Sequence, residues 1–154
     1  MRFPVAAALA LIAAPSLAAE AVPANTNLTY DMPIAGTWNY TPTPDGSEAN
    51  FVDSASRTQL TIRCTRLSRQ VTILKPASTA APFMWVWTSS AVKNVPATYD
   101  PTTAQVSAAF TAFDPLLDAI ASSRGRIGFS TSGLAALVVP PWADVGRVIE
   151  DCRV

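Results

Sequence analysis

The stretch Thr58-Gln59-Leu60-Thr61-Ile62-Arg63-Cys64 decides the fold class. Its period of two places Leu60, Ile62 and Cys64 on one face and Thr61 and Arg63 on the other, the pattern of a half-buried β-strand. A cysteine on the apolar face points into the core. Arg69 to Lys75 repeats the pattern with Val71 and Ile73 inward, and the short Thr65 to Ser68 connection predicts an antiparallel hairpin.

Working outward toward the N-terminus, Thr37-Trp38-Asn39-Tyr40-Thr41 alternates small polar and aromatic residues and reads as another half-buried strand, closed by the turn Pro42-Thr43-Pro44-Asp45-Gly46. Residues 20–35 carry few large apolar side chains and no periodicity, which predicts a flexible extended arm. Working toward the C-terminus, Phe83 to Thr88 is apolar on both faces and reads as a central strand, and Gln105 to Phe113 is a weaker strand carrying Val106 and Phe110.

The period changes at Asp114. Asp114 is a helix cap, Pro115 suits the first helical position, and Leu116, Leu117, Ile120 and Ala121 form a stripe at helical spacing. Gly125 is placed to stop this helix in a left-handed conformation. Arg126 to Ser130, a Ser130-Thr131-Ser132-Gly133 turn and Leu134 to Val139 read as a hairpin, and Pro140-Pro141 introduces a second helix from Trp142 to Cys152. The predicted fold class is α+β: a mostly antiparallel β-sandwich-like domain over residues 36–154, with short helices at 114–123 and 142–152 in the C-terminal half.

The chain opens with one positive charge at Arg2, an uncharged run from Val5 to Ala14, and Pro15-Ser16-Leu17-Ala18-Ala19. This reads as a signal peptide over residues 1–19, cleaved after Ala18 or Ala19, and predicts export to the periplasm or beyond. No cysteine lies near the cut, so no lipid anchor is expected. No later apolar run reaches the roughly 20 residues of a membrane span, so no stable membrane insertion is expected. Nine of the eleven basic residues are arginine, the other two being Lys75 and Lys93, a bias that fits a GC-rich bacterial genome. Basic and acidic residues balance at 11 each, so no net field favours nucleic acid.

Export gives the two cysteines a shared fate. Cys64 lies on the core face of a strand and Cys152 ends a helix whose Val145, Val148 and Ile149 should pack on the sheet, so a Cys64–Cys152 disulfide is predicted. It closes a loop of about 89 residues, for which chain entropy gives roughly 4 to 5 kcal/mol. A redox pair would sit close together at a helix start, and a thiolate is disfavoured at a helix end.

Histidine is absent, which removes Ser-His-Asp and Cys-His hydrolases and His-ligated metal centres. No Walker loop, dinucleotide fingerprint or EF-hand loop is present, and no cofactor or metal is expected. The candidate polar site is Asp114 and Asp118, four apart on the first helix, with Arg124 and Arg126 beyond it. Capping and first-turn charge account for the two carboxylates equally well, and the arginines fit either an anion site or a solvated helix stop. Arg147 and Asp151 have ion-pair spacing on a solvated face of the last helix. Phe83, Trp85 and Trp87 share one strand face; buried, they are core, and exposed, they form a row able to stack sugars or a peptide.

Three segments carry a resemblance: Leu60-Thr61-Ile62-Arg63-Cys64, Asp114-Pro115-Leu116-Leu117-Asp118-Ala119 and Arg147-Val148-Ile149-Glu150-Asp151-Cys152. In these the chain resembles small exported proteins of alphaproteobacteria and, more loosely, the invasion-associated locus B family of periplasmic sandwich domains. The resemblance implies a β-sandwich with a late helix and a role at the cell envelope, and transfers no catalytic residue. The expected function is an exported, soluble, non-enzymatic binding or interaction module whose partner is an envelope protein or a small ligand. The alternative is a small envelope hydrolase, or an inhibitor of an envelope enzyme, using the Asp/Arg set.

Overall fold

The computed structural model describes Leu28 and residues 30–154; the predicted leader and its cut lie outside the described residues, as do residues 20–27 and 29 of the predicted arm. Among the described residues the chain forms strands β1 (Gly36–Thr43), β2 (Gly46–Asp53), β3 (Thr58–Thr65), β4 (Gln70–Pro76), β5 (Phe83–Trp87), β6 (Val92–Pro96), β7 (Thr98–Asp100) and β8 (Gln105–Thr111). Helix α1 (Pro115–Ala121), strands β9 (Ile127–Thr131) and β10 (Leu137–Val139), and helix α2 (Ala143–Asp151) follow. Strands dominate and the two short helices come late, as the change of period at Asp114 predicts.

The strands make two antiparallel sheets. One runs β1-β2-β3-β4-β8-β7 and the other β10-β9-β5-β6. In the larger sheet the period-two residues line up across the register: Phe51 opposes Leu60, Ala49 opposes Ile62, Ile62 opposes Ile73, and Ile73 opposes Ala108. These side chains are buried and join one cluster with Met84, Val86, Ile127, Phe129 and Val139 of the smaller sheet and with the apolar stripes of both helices. Each large side chain withdrawn from water contributes roughly 1.5 to 3 kcal/mol, so this shared cluster holds the two sheets and the helices together.

Strand β2 is absent from the sequence reading. Its core face carries Ser47, Ala49 and Phe51, and two of those three are too small or too polar to register as an apolar alternation. Thr61, expected outward, is buried because its hydroxyl donates to Asn50 Oδ1 on β2 at 2.6 Å. Helix α1 is capped as expected, Asp114 Oδ1 accepting from the Leu116 amide at 2.8 Å with Pro115 in the first turn. It ends earlier than expected. Ser122 is its C-cap, and Gly125, at φ 81°, turns the following loop into β9 instead of closing the helix.

The disulfide joins Cys64 to Cys152 with Cα atoms 5.4 Å apart, tying the end of α2 to β3. Around it α2 is held by side chains as well. Trp38 Nε1 donates to the Pro140 carbonyl at 2.7 Å, and Tyr40 Oη donates to Asp151 Oδ2 at 2.7 Å. The Arg147 guanidinium lies 3.7 Å above the Tyr40 ring centroid, so Arg147 and Asp151 grip Tyr40 from α2 instead of forming a solvated ion-pair face.

Candidate functional site

The core face of β5 is Met84 and Val86, both fully buried, which turns Phe83, Trp85 and Trp87 to the opposite side of the small sheet. That outer face is open. Phe83 is 48 % exposed, Trp85 and Trp87 are half-buried, and their indole centroids stand 6.5 Å apart. Register adds Pro96, Asn94 and Val92 of β6 beside the three aromatics, with Ser130 and Gly128 of β9 flanking Trp85 and Trp87. Of the two outcomes set by the sequence, the structure gives neither in full: the row faces outward, exposed at Phe83 and half-buried at both tryptophans.

At its Trp87 end the row runs into a groove of about 500 Å³ between two loops. One is the β5–β6 turn, Thr88 to Ala91; the other is the α1–β9 loop bearing Arg124 and Arg126. The loops are stitched together. The Ser89 amide donates to Ser123 Oγ at 3.0 Å, Ser123 Oγ donates to the Arg126 carbonyl at 2.6 Å, and the Arg124 amide donates to Ser89 Oγ at 2.9 Å. Within the turn, the Thr88 hydroxyl accepts from the Ala91 amide at 2.8 Å, fixing the hairpin locally.

The floor depends on a glycine. A Cβ on Gly128 would come within 2.5 Å of Leu28 Cδ1 and 3.3 Å of Trp87 Cβ, so a side chain there would force Leu28 to shift from its seat on β9. Leu28 is 1 % exposed there. The described end of the predicted arm is thus held to the small sheet: Arg126 Nη1 donates to the Asp31 carbonyl at 2.6 Å and the Ile34 amide donates to the Val138 carbonyl at 2.9 Å.

The groove is lined by Arg124 and Arg126 and by no acidic residue. Among the described residues the Arg124 side chain has neither an ion pair nor a hydrogen bond. Among the described residues the buried Trp87 Nε1 has no hydrogen-bond acceptor. Two arginines and an aromatic face suit a ligand that carries a ring and a negative charge.

The four residues named from the sequence divide. Arg124 and Arg126 share the groove, whereas Asp114 caps α1 and Asp118 pairs with Arg153 Nη2 at 2.7 Å, Arg153 also holding Glu150 at 3.0 Å. Among the described residues no cluster of three or more potential metal ligands exists. Sequence reading missed Ser89, Leu28 and Gly128 as parts of the site. The signal it could have used is Gly128 in the middle of a strand, which marks a close approach of another chain segment.

Fold and site together define an antiparallel two-sheet domain, tied by a disulfide, with an outward-facing aromatic row ending in a groove lined by two arginines. No protein-family model, curated protein or solved structure matches the chain.

Proposed function

We propose that the protein is an exported, non-enzymatic binding module of sandwich-like build that holds an acidic glycan of the cell envelope. The observation that carries the reading is the outward row of Phe83, Trp85 and Trp87 leading into a groove with Arg124, Arg126 and no carboxylate. Aromatic faces two residues apart on a strand stack on successive rings, and guanidiniums pair with carboxylate or phosphate groups on them. Two sheets sharing one core support the sandwich-like reading. Export and an envelope setting are supported by the leader-like N-terminus, by the disulfide, which persists in oxidising compartments, and by the resemblance to exported alphaproteobacterial proteins. Among the described residues no helix is long and apolar enough to cross a membrane.

The test is a titration with a glucuronate oligosaccharide against a neutral glucose oligosaccharide of equal length, read by tryptophan fluorescence. The acidic glycan should bind, with affinity falling as salt rises, and Arg124→Ala should weaken it at least tenfold. Equal binding of the two glycans, or of neither, would remove the proposal. Saturable binding of a peptide alone would replace the glycan with a protein partner.

A further inference from the structure

We propose that Lys75 is a nucleophilic amine, and that the cleft around it captures a small aldehyde or ketone as a reversible imine. The site is separate from the basic groove and does not depend on it. Lys75 sits on the core side of β4, in phase with Val71 and Ile73 and opposite Val106 of β8, all three of them fully buried. Lys75 itself is 7 % exposed. An alternating strand reading takes a lysine at this position as the end of a strand; the structure carries it into the core.

The side chain opens on a cleft of about 400 Å³ bounded by both sheets. The end of β2, the β2–β3 turn and the start of β3 supply Asp53, Arg57 and Gln59 on one side, and Ile34 with Ala136 and Leu137 make the apolar wall. The charged groups that face the amine are already committed to one another. Asp53 Oδ2 pairs with Arg57 Nη2 at 2.9 Å and accepts from Gln59 Nε2 at 2.8 Å, while Asp53 Oδ1 accepts from the Ala55 and Arg57 amides, each at 2.9 Å. Among the described residues none of the ion pairs or side-chain hydrogen bonds includes Lys75.

A buried ammonium whose neighbouring carboxylate is already paired is the disfavoured form, and burial pulls the Lys75 amine below the usual lysine range. In its deprotonated form that amine carries the lone pair that nucleophilic lysines use. In the capture step the Nζ lone pair attacks the carbonyl carbon, forming the C–N bond, while the C=O π pair moves to oxygen, which takes a proton. The carbinolamine then loses water as nitrogen releases its proton and forms C=N. Amine and carbonyl give imine and one water, and nothing is oxidised or reduced.

The sequence provides its own control, because the only other lysine, Lys93, is exposed on β6. The full folded chain, disulfide intact, is treated at pH 7 with glycolaldehyde and cyanoborohydride, and the labelled peptides are quantified by mass spectrometry over time. Lys75 should label at least tenfold faster than Lys93, the two rates converging in urea. Arg124→Ala should leave the Lys75 rate unchanged, which separates this site from the groove. Lys75 labelling no faster than Lys93, or only in urea, would show the amine to be a packed structural side chain and overturn the proposal. Lys75→Met, checked for native near-ultraviolet circular dichroism, should lose the fast phase; a fast phase that survives in it would also overturn the assignment.

Discussion

The end of the molecule where α2 meets β1 to β3 and the end where the β5–β6 turn meets the α1–β9 loop are built on opposite rules. At the first, polar groups are matched in pairs: Trp38 with the Pro140 carbonyl, Tyr40 with Asp151 and Arg147, Arg153 with Asp118 and Glu150, and the whole is tied by the disulfide. At the second, the loops are stitched through Ser89 and Ser123, yet among the described residues neither the Arg124 side chain nor the buried Trp87 Nε1 has a hydrogen-bond partner. Satisfied polar groups hold a fold, while unsatisfied ones lining a groove hold something else. The paired polar groups and the staple are therefore concentrated at one end, and the groove proposed to hold a ligand lies at the other.

The comparison breaks most visibly if the staple is removed. Replacing Cys64 and Cys152 by alanine should destabilise the domain by roughly 4 kcal/mol from chain entropy, measured by urea unfolding. A loss below about 1 kcal/mol would mean that α2 is held by its side-chain pairs alone. Those pairs make a smaller contribution: Tyr40→Phe, which removes the hydroxyl from Asp151, should cost about 1 kcal/mol in the same assay. Asp114→Ala should cost about as much, by uncapping α1, and should leave ligand binding untouched.

Smaller still is the expected effect of Arg124→Ala on stability, within about 0.5 kcal/mol, because its side chain supports nothing in the fold. That variant sharpens the contrast, since it should spare folding and remove affinity.

The β2–β3 turn gives a pH test. Asp53 accepts hydrogen bonds from the Arg57 amide foremost, then from Gln59, the Arg57 guanidinium and the Ala55 amide, and these hold its carboxyl at about 2, below the ordinary value of 3.8. A carboxyl with a lowered folded-state pKa stabilises fully above its unfolded value and loses that contribution as pH falls through the folded one. Asp53→Asn should therefore reduce stability at neutral pH, and the gap from the parent should close between about pH 4 and 2. A constant gap across that window would show that the turn depends on shape and not on the charge.

Much of the architecture was legible because it rests on periodicity. The alternation of Leu60, Ile62 and Cys64, the cap at Asp114 and the stripe of Val145, Val148 and Ile149 each report one buried face, and the disulfide follows from two of them. Where side-chain size or polarity disguises the face, the reading fails. Strand β2 hides behind Ser47 and Ala49, and β6 behind Lys93, Asn94 and Pro96. The groove was half visible. Arg124 and Arg126 were singled out together with Asp114 and Asp118, but helical spacing cannot tell that Asp118 turns toward Arg153 across 35 residues. The outward row needed knowledge of which side of β5 faces the core, and a strand apolar on both faces does not carry it.

The four tryptophans make the central claim directly measurable, since Trp38 and Trp142 stand at the stapled end and Trp85 and Trp87 on the aromatic row. In a 1H–15N spectrum of the folded chain titrated with glucuronate oligosaccharide, the Trp87 indole N–H should shift most, Trp85 next, and Trp38 and Trp142 should stay in place. The shifts should vanish in Arg124→Ala. Movement of Trp142 with a stationary Trp87, or identical Trp87 shifts in the parent and in Arg124→Ala, would contradict the account.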